Sequence, residues 1–163
     1  MKKIIIVLLL FVSTFSLAQE TTIFILVRHA EKASDGTSDP ALTVEGVARA
    51  DKILSLFSKT EITSIYSTNY IRTKMTVAPL AEAKKAEIAI YDPGSLEKFA
   101  DKLLNDNSGG TVIVSGHSNT TPTLANLLLG EEKFKQFEDS DYGNLLIITT
   151  SDSGKPKLLH LRY

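Results

Sequence analysis

Arg28 and His29 directly follow the apolar run Ile23-Phe24-Ile25-Leu26-Val27. His117 stands just beyond a second run, Val112-Ile113-Val114, and Arg72 lies between them in sequence. Two imidazoles and two guanidiniums delivered to the ends of buried strands are the groups needed to hold and attack a phosphoryl group. The reason is charge. A phosphate monoester carries nearly two negative charges, and planar, permanently protonated guanidinium forks match its oxygens bidentately. Histidine adds a nucleophile and base that titrates near neutral pH.

Strands and helices must bring these residues together. Short apolar runs at residues 23–27, 62–66, 86–90, 111–115, 145–150 and 157–161 predict strands. Between them lie helical patterns. Val47, Ala50, Leu54 and Phe57 share a face after a Thr43 cap, and Leu96, Phe99, Ala100, Leu103 and Leu104 share another after Ser95. A third pattern groups Ile71, Met75 and Ala78. A fourth begins at Thr121-Pro122, a cap and first-turn proline, and continues into Leu124, Leu127 and Leu128. Ser151-Asp152-Ser153-Gly154 predicts a hairpin between the last two strands. The pattern predicts an α/β fold: a three-layer αβα sandwich on a mostly parallel sheet, with an antiparallel C-terminal edge hairpin. Residues 33–40 and 130–142 read as loops.

In such sheets ligands bind beyond the carboxyl ends of the strands, where Arg28, His29, Ser67 and His117 fall. Helices starting near Asn69 and Thr121 would turn free N–H groups toward the same crevice. Neighbours in a strand point to opposite faces, so Arg28 and His29 converge only where the strand has ended.

Lys2 and Lys3 precede the apolar stretch Ile4 to Val12, and Ser16-Leu17-Ala18 offers the small residues a signal peptidase reads. Residues 1–18 therefore read as a secretory signal peptide and residues 19–163 as a single domain. The apolar stretch is shorter than the roughly 20 residues that span a bilayer. The expected location is exported, periplasmic or secreted, with no membrane association after cleavage. The chain has no cysteine, which excludes disulfides, thiol chemistry and a lipid-attachment site. Without Lys2 and Lys3, 16 basic residues face 19 acidic ones, a formal balance of −3 that does not suit a nucleic-acid partner. No oligomeric state is implied.

Four segments occur in a telling order: Val27-Arg28-His29-Ala30-Glu31, then Asp39-Pro40-Ala41-Leu42-Thr43-Val44-Glu45-Gly46. Next comes Ile65-Tyr66-Ser67-Thr68-Asn69-Tyr70-Ile71-Arg72-Thr73, followed by Thr76 and Pro79-Leu80-Ala81, and finally Val114-Ser115-Gly116-His117-Ser118. Together they resemble the histidine phosphatase superfamily, also called phosphoglycerate mutase-like, in its small single-domain branch. The first segment has Ala30 where the family pattern has glycine.

The resemblance implies that His29 attacks phosphorus in line and becomes phosphohistidine, which water then hydrolyses. It implies that Arg28, Arg72 and His117 bind the equatorial oxygens, with Ser118 among the phosphate-binding residues, and it calls for no metal and no cofactor. His29 must be neutral for attack, with a carbonyl or carboxylate on its other ring nitrogen. His117, among anionic oxygens, is expected to be protonated. The expected partner is a small phosphorylated substrate, and the short chain, lacking the mutase insertion, favours hydrolysis over transfer.

A leaving alkoxide also needs a proton. One branch of the family carries an acid directly after the second histidine, where this chain has Ser118. Another carries a glutamate in an insertion after the third strand, where Ile90-Tyr91-Asp92-Pro93-Gly94 runs straight into a helix. Asp92, ending a strand on the crevice side, is the first choice of proton donor, and Glu31 is the second. Without an acid, the favoured substrates are those whose leaving groups need little protonation, such as phosphohistidine or aryl phosphates.

Two other classes of function fit parts of the chain. Gly116-His117-Ser118-Asn119-Thr120 resembles the nucleophile elbow of a serine hydrolase, with Ser118, Asp141 and His160 in the expected order. That reading leaves Arg28, His29 and Arg72 without a task. A non-catalytic domain binding a phosphorylated ligand would use the same pocket. Plainer roles are a surface ion pair for Arg72, a structural role for His160 and a solvated loop charge for Lys32. His29, Glu31 and His117 match no strong zinc spacing.

Overall fold

Alternation along two adjacent strands builds both faces of the core. In β1 (Thr21–Arg28), Phe24 and Leu26 project to one side with Val112 and Val114 of β4 (Thr111–Gly116), while Ile25 and Val27 project to the other with Ile113. Helices α1 (Val44–Phe57) and α2 (Ile71–Lys84) cover the second side through Ile53, Phe57, Val77 and Leu80. Helices α3 (Leu96–Asp106) and α4 (Thr120–Leu129) cover the first through Phe99, Leu103, Leu124 and Leu128. Full burial of side chains of this size contributes about 1.5–3 kcal/mol each.

The remaining strands are β2 (Ser64–Ser67), β3 (Ile88–Ile90), β5 (Asn144–Ser151) and β6 (Gly154–Arg162). The sheet runs β3-β2-β4-β1-β5-β6. The first four strands are parallel, β5 is antiparallel to β1, and β6 closes an antiparallel edge hairpin on β5. This is the αβα sandwich read from the sequence. The computed structural model describes residues 20–151 and 154–163, so the signal peptide read in residues 1–18 lies outside the described residues. Among the described residues no helix is long and apolar enough to cross a membrane.

The register pairs Arg28 with Gly116, so β1 and β4 end side by side. From there one chain returns through α1 on one face and the other through α4 on the opposite face. Their parting opens a crevice at the carboxyl ends of the two strands.

Several local expectations are corrected. β3 starts at Ile88, not at 86, because Lys85 adopts a left-handed backbone (φ 53°) and, with the Ala86 N–H, closes the end of α2. Thr43 Oγ1 does accept the Gly46 N–H at the start of α1, but the buried stripe is Gly46, Ala50, Ile53 and Phe57, with Val47 turned outward. In α2 the buried residues are Thr73, Thr76, Val77, Leu80 and Ala81, and Ile71 is exposed. Two of these inward positions are threonines, which a pattern of apolar side chains passes over. Leu104 of α3 also faces solvent. Ser95 occupies the N-cap of α3, but its Oγ donates to Asp92 rather than accepting a helix N–H, and Thr121 is no cap at all: it lies within α4, where its Oγ1 donates to Val27 O.

Gly116 is where β4, α4 and the residue after β3 come closest. A Cβ there would stand 2.8 Å from each of Tyr91 Oη, Thr120 Oγ1 and Thr121 Oγ1. Thr120 already accepts the His117 N–H, and Thr121 already bonds Val27 O. Gly116→Ala is therefore expected to cost about 1–3 kcal/mol. Urea unfolding should show a lower midpoint at unchanged slope, and an unchanged midpoint would mean that α4 can shift freely.

Candidate active site

β1 ends at Arg28, and His29 has already left the strand, although its N–H still bonds Gly116 O at 2.8 Å. The turn lets both side chains line one crevice of ≈ 490 Å³, together with Arg72, His117 and Ser118. The rings of His29 and His117 stand 5.5 Å apart, centroid to centroid, at 70°. One tetrahedral oxyanion can bridge that gap.

The buried His29 ring has its Nδ1 2.8 Å from Ala30 O. A carbonyl only accepts, so Nδ1 carries the proton and Nε2 is bare. Ala30 is held in turn: its N–H bonds Thr76 Oγ1 at 2.9 Å, and Thr76 donates to Arg72 O. Burial, followed by the charges of Arg28, His117 and Arg72, pushes the His29 pKa down to about 3. The ring is thus neutral at neutral pH without a general base.

His117 lies beside Thr68, with Nε2 2.9 Å from Thr68 Oγ1. Burial and then the Arg72 and Arg28 charges push its pKa down to about 4. The protonated His117 expected among anionic oxygens is therefore not its state in the protein alone. The guanidiniums outweigh Asp39, which pulls the other way, and an added anion would reverse the balance.

Each guanidinium has one nitrogen already engaged. Arg28 Nη1 donates to Glu138 O at 2.8 Å and Asp141 O at 3.1 Å, and its plane lies 4.1 Å from the Tyr142 ring centroid. Arg72 Nη1 bonds Asp39 at 3.3 Å, and its plane lies 4.4 Å from that of Tyr70. The Nε atoms of both arginines are buried without a partner, and neither Nη2 makes a hydrogen bond within the described protein. Under-satisfied positive charge on both sides of His29 marks an anion site.

Lowered imidazole pKa values also tie stability to pH. In the unfolded chain these rings titrate near their ordinary 6.5, so below that pH the unfolded state binds more protons than the native one. Stability is fully present above pH 6.5 and is lost as pH falls toward 4 and then 3. Each ring contributes up to about 1.4 kcal/mol per pH unit. Thermal unfolding between pH 7 and 5 should show the loss, and inorganic phosphate should reduce it by binding the native site. A flat profile would mean that the rings are not held neutral.

The histidine phosphatase superfamily (branch 1) model matches residues 24–93, which carry Arg28, His29 and Arg72. Over that stretch the sequence matches the superfamily model, and the fold as a whole is that of the solved phosphatases that follow. It superposes on the protein histidine phosphatase SixA, complexed with tungstate, at TM-score 0.69 and 19% identity, covering 86% of this chain and 96% of that one. A mycobacterial glucosyl-3-phosphoglycerate phosphatase gives 0.67 at 12% identity, with 85% and 97% covered. The phosphoserine phosphatase of Entamoeba histolytica, in complex with 3-phosphoglyceric acid, gives 0.64 at 19%, with 87% and 97% covered. No curated protein sequence matches the chain.

The acids are arranged differently from the sequence reading. Asp92 does not line the crevice: its carboxylate accepts the Gly94 N–H and the Ser95 hydroxyl, which hold it below its usual pKa range. Glu31 is turned away as well, bonded through both oxygens to Arg49, which lowers its pKa. The carboxylate at the mouth is Asp139, 98% exposed and 3.9 Å from Arg28 Nη2. Lys32, an exposed loop residue, also lines the crevice.

The first N–H of α2 is taken by Asp39, which also holds Arg72, so only α4 opens its N-terminus on the crevice, at Ser118 and Asn119. The serine hydrolase arrangement is not assembled. His160 Nε2 bonds Asn144 and its ring packs on Phe134, while Asp141 bonds Arg162 and Asn144. Among the described residues no cluster of three His, Cys, Asp or Glu side chains is placed to hold a metal ion.

Sequence reasoning passed over Thr68, Tyr70, Asp39, Asp139 and Tyr142. The first three lie within the family-like segments, so the signal was present. Asp139 and Tyr142 lie in the 130–142 loop, whose sequence carries no periodicity to place them.

Proposed function

We propose that the protein is a metal-independent phosphatase that hydrolyses phosphomonoesters or phosphohistidine through a phosphohistidine formed on His29. The observation that carries this reading is a neutral His29 with a bare Nε2, flanked by two guanidiniums with unpaired nitrogens. Nε2 attacks phosphorus in line, the bond to the leaving atom breaks, and its electron pair departs with the leaving group. Arg28, Arg72 and His117 hold the three equatorial oxygens, so catalysis is positioning and electrostatics. Water then cleaves the phosphohistidine and releases inorganic phosphate. The exposed mouth at Asp139 lets that water in, which favours hydrolysis over transfer. The tungstate complex of SixA and the 3-phosphoglyceric acid complex of the phosphoserine phosphatase support an oxyanion in this pocket.

Because Asp92 and Glu31 stand outside the crevice, phosphohistidine and aryl phosphates are the substrates we favour. A leaving alkoxide would lack the proton that general acids supply, a contribution of about 10²-fold or more. The test is turnover of an aryl phosphate, a phosphohistidine peptide and an alkyl phosphate by the purified protein, with vanadate and a fluorophosphonate as inhibitors. The first two substrates should lead the third by that factor, with inhibition by vanadate alone. Vanadate binding without turnover would instead establish a binding domain, and inactivation by the fluorophosphonate would point to Ser118. The leader read in residues 1–18 would place the activity in the periplasm or outside the cell. N-terminal sequencing of exported protein, with a start at residue 19, checks that.

A further inference from the structure

Behind His117 two buried hydroxyls, of Thr68 and Thr73, form a chain whose direction is fixed atom by atom. Thr73 Oγ1 lies 2.9 Å from Tyr70 O, 3.0 Å from Thr68 O and 2.9 Å from Thr68 Oγ1. Carbonyls only accept, and a hydroxyl has a single proton. The Thr73 proton goes to the carbonyls, so toward Thr68 Oγ1 the Thr73 oxygen is the acceptor. That commits the one Thr68 proton to Thr73. The remaining contact, 2.9 Å from Thr68 Oγ1 to His117 Nε2, then closes only with the ring nitrogen as donor. Reversing any link sets two lone pairs against each other.

We propose that Thr68 and Thr73 are positioning residues that lock His117 in its Nε2–H tautomer and so make Nδ1 the atom it offers to the phosphoryl group. Only the last clause rests on the phosphatase reading, since the tautomer belongs to the protein without substrate. His117 lines the crevice, and its Nδ1 makes no hydrogen bond within the described protein. The edge-on Tyr70 ring, 5.0 Å away at 87°, and the His117 N–H bond to Thr120 Oγ1 hold the ring in place. The two imidazoles therefore hold opposite tautomers: His29 is protonated at Nδ1 and bare at Nε2, and His117 is the reverse.

A consequence follows for binding. A neutral His117 turns a lone pair toward an anionic oxygen, and it becomes a donor only by taking a proton at Nδ1. A phosphate monoester monoanion brings that proton. Its phosphoryl O–H bond breaks as Nδ1–H forms, leaving a dianion against an imidazolium, with no outside acid required.

Histidine ring ¹⁵N shifts from long-range ¹H–¹⁵N correlation spectra of the phosphate-free protein at neutral pH test this. His117 should read as protonated at Nε2 and bare at Nδ1, with His29 showing the opposite pattern in the same spectrum. Thr68→Ser should preserve both the pattern and vanadate affinity. Thr68→Val should give a mixture of His117 tautomers and bind vanadate about five- to tenfold more weakly. An Nδ1–H tautomer or a mixture in the unmodified protein overturns the proposal, and so does Thr68→Val keeping a single tautomer. The unmodified spectrum needs no variant to fold. If it shows the expected tautomers while the protein turns over no phosphate, the phosphatase reading falls and the lock stands.

Discussion

His29→Ala is expected to lower kcat on an aryl phosphate by about 10⁴-fold or more. The size of the effect follows from the absence of a substitute. Ser118 shares the crevice but lacks an assembled base, because His160 is spent on Asn144. His117 has its Nε2 on Thr68, and its Nδ1, on the proposed reading, meets a phosphoryl oxygen and takes its proton rather than attacking phosphorus. Rapid acid quenching checks the chemistry separately from the rate: the unmodified protein should retain acid-labile phosphate label, and the alanine variant none. The variant should also lose less stability on acidification, since one of the two rings held neutral is gone. Residual turnover within tenfold of the unmodified protein would show that water or Ser118 attacks phosphorus directly.

Arg28→Ala should reduce kcat/KM by about 10³-fold, at the upper end for loss of one charge-stabilising donor group. Two roles are lost together. The guanidinium faces both imidazoles, and its Nη1 also ties down the loop at Glu138 O and Asp141 O while its plane stacks on Tyr142. That loop has one other backbone tie near the site, the Phe137 N–H to Ser118 O. Arg28→Lys should not rescue activity, because an ammonium has no plane to lie on the tyrosine and cannot span two carbonyls and an anion at once. Kinetics should be read beside amide hydrogen exchange over residues 134–143. A kinetic loss with unchanged exchange would make the loop contact dispensable.

What the sequence revealed depended on which kind of signal each residue left. The sheet was legible because runs such as 23–27 and 111–115 are apolar without interruption, as strands buried on both faces must be. His29 and His117 were legible because each follows such a run directly. The inward face of α2 was not, because Thr73 and Thr76 serve hydrogen bonds to the site rather than apolar packing, and threonine reads as a surface residue. The proton-donor choice of Asp92 failed for a local reason. An Asp two residues before Gly94 and three before Ser95 closes its own turn, and that preference outweighs its position at a strand end. The charge state of His117 could not be read from sequence for the protein alone, because the protonated form was expected among phosphate oxygens, whereas the arginines that lower its pKa are brought to it by the fold.

The pairing of Arg28 with Gly116 has a consequence for how such a scaffold diversifies. On the proposed reading, the span across which phosphorus would be gripped is dictated by interstrand backbone bonding between β1 and β4, so it is indifferent to what grows around the rim. The stretch 34–38, which stops short of Asp39, can lengthen or shorten without touching that span, whereas 131–134 is held by Asn126. New cargo would then be admitted above an unaltered grip, and selectivity could drift while the bond-breaking apparatus stays in tune.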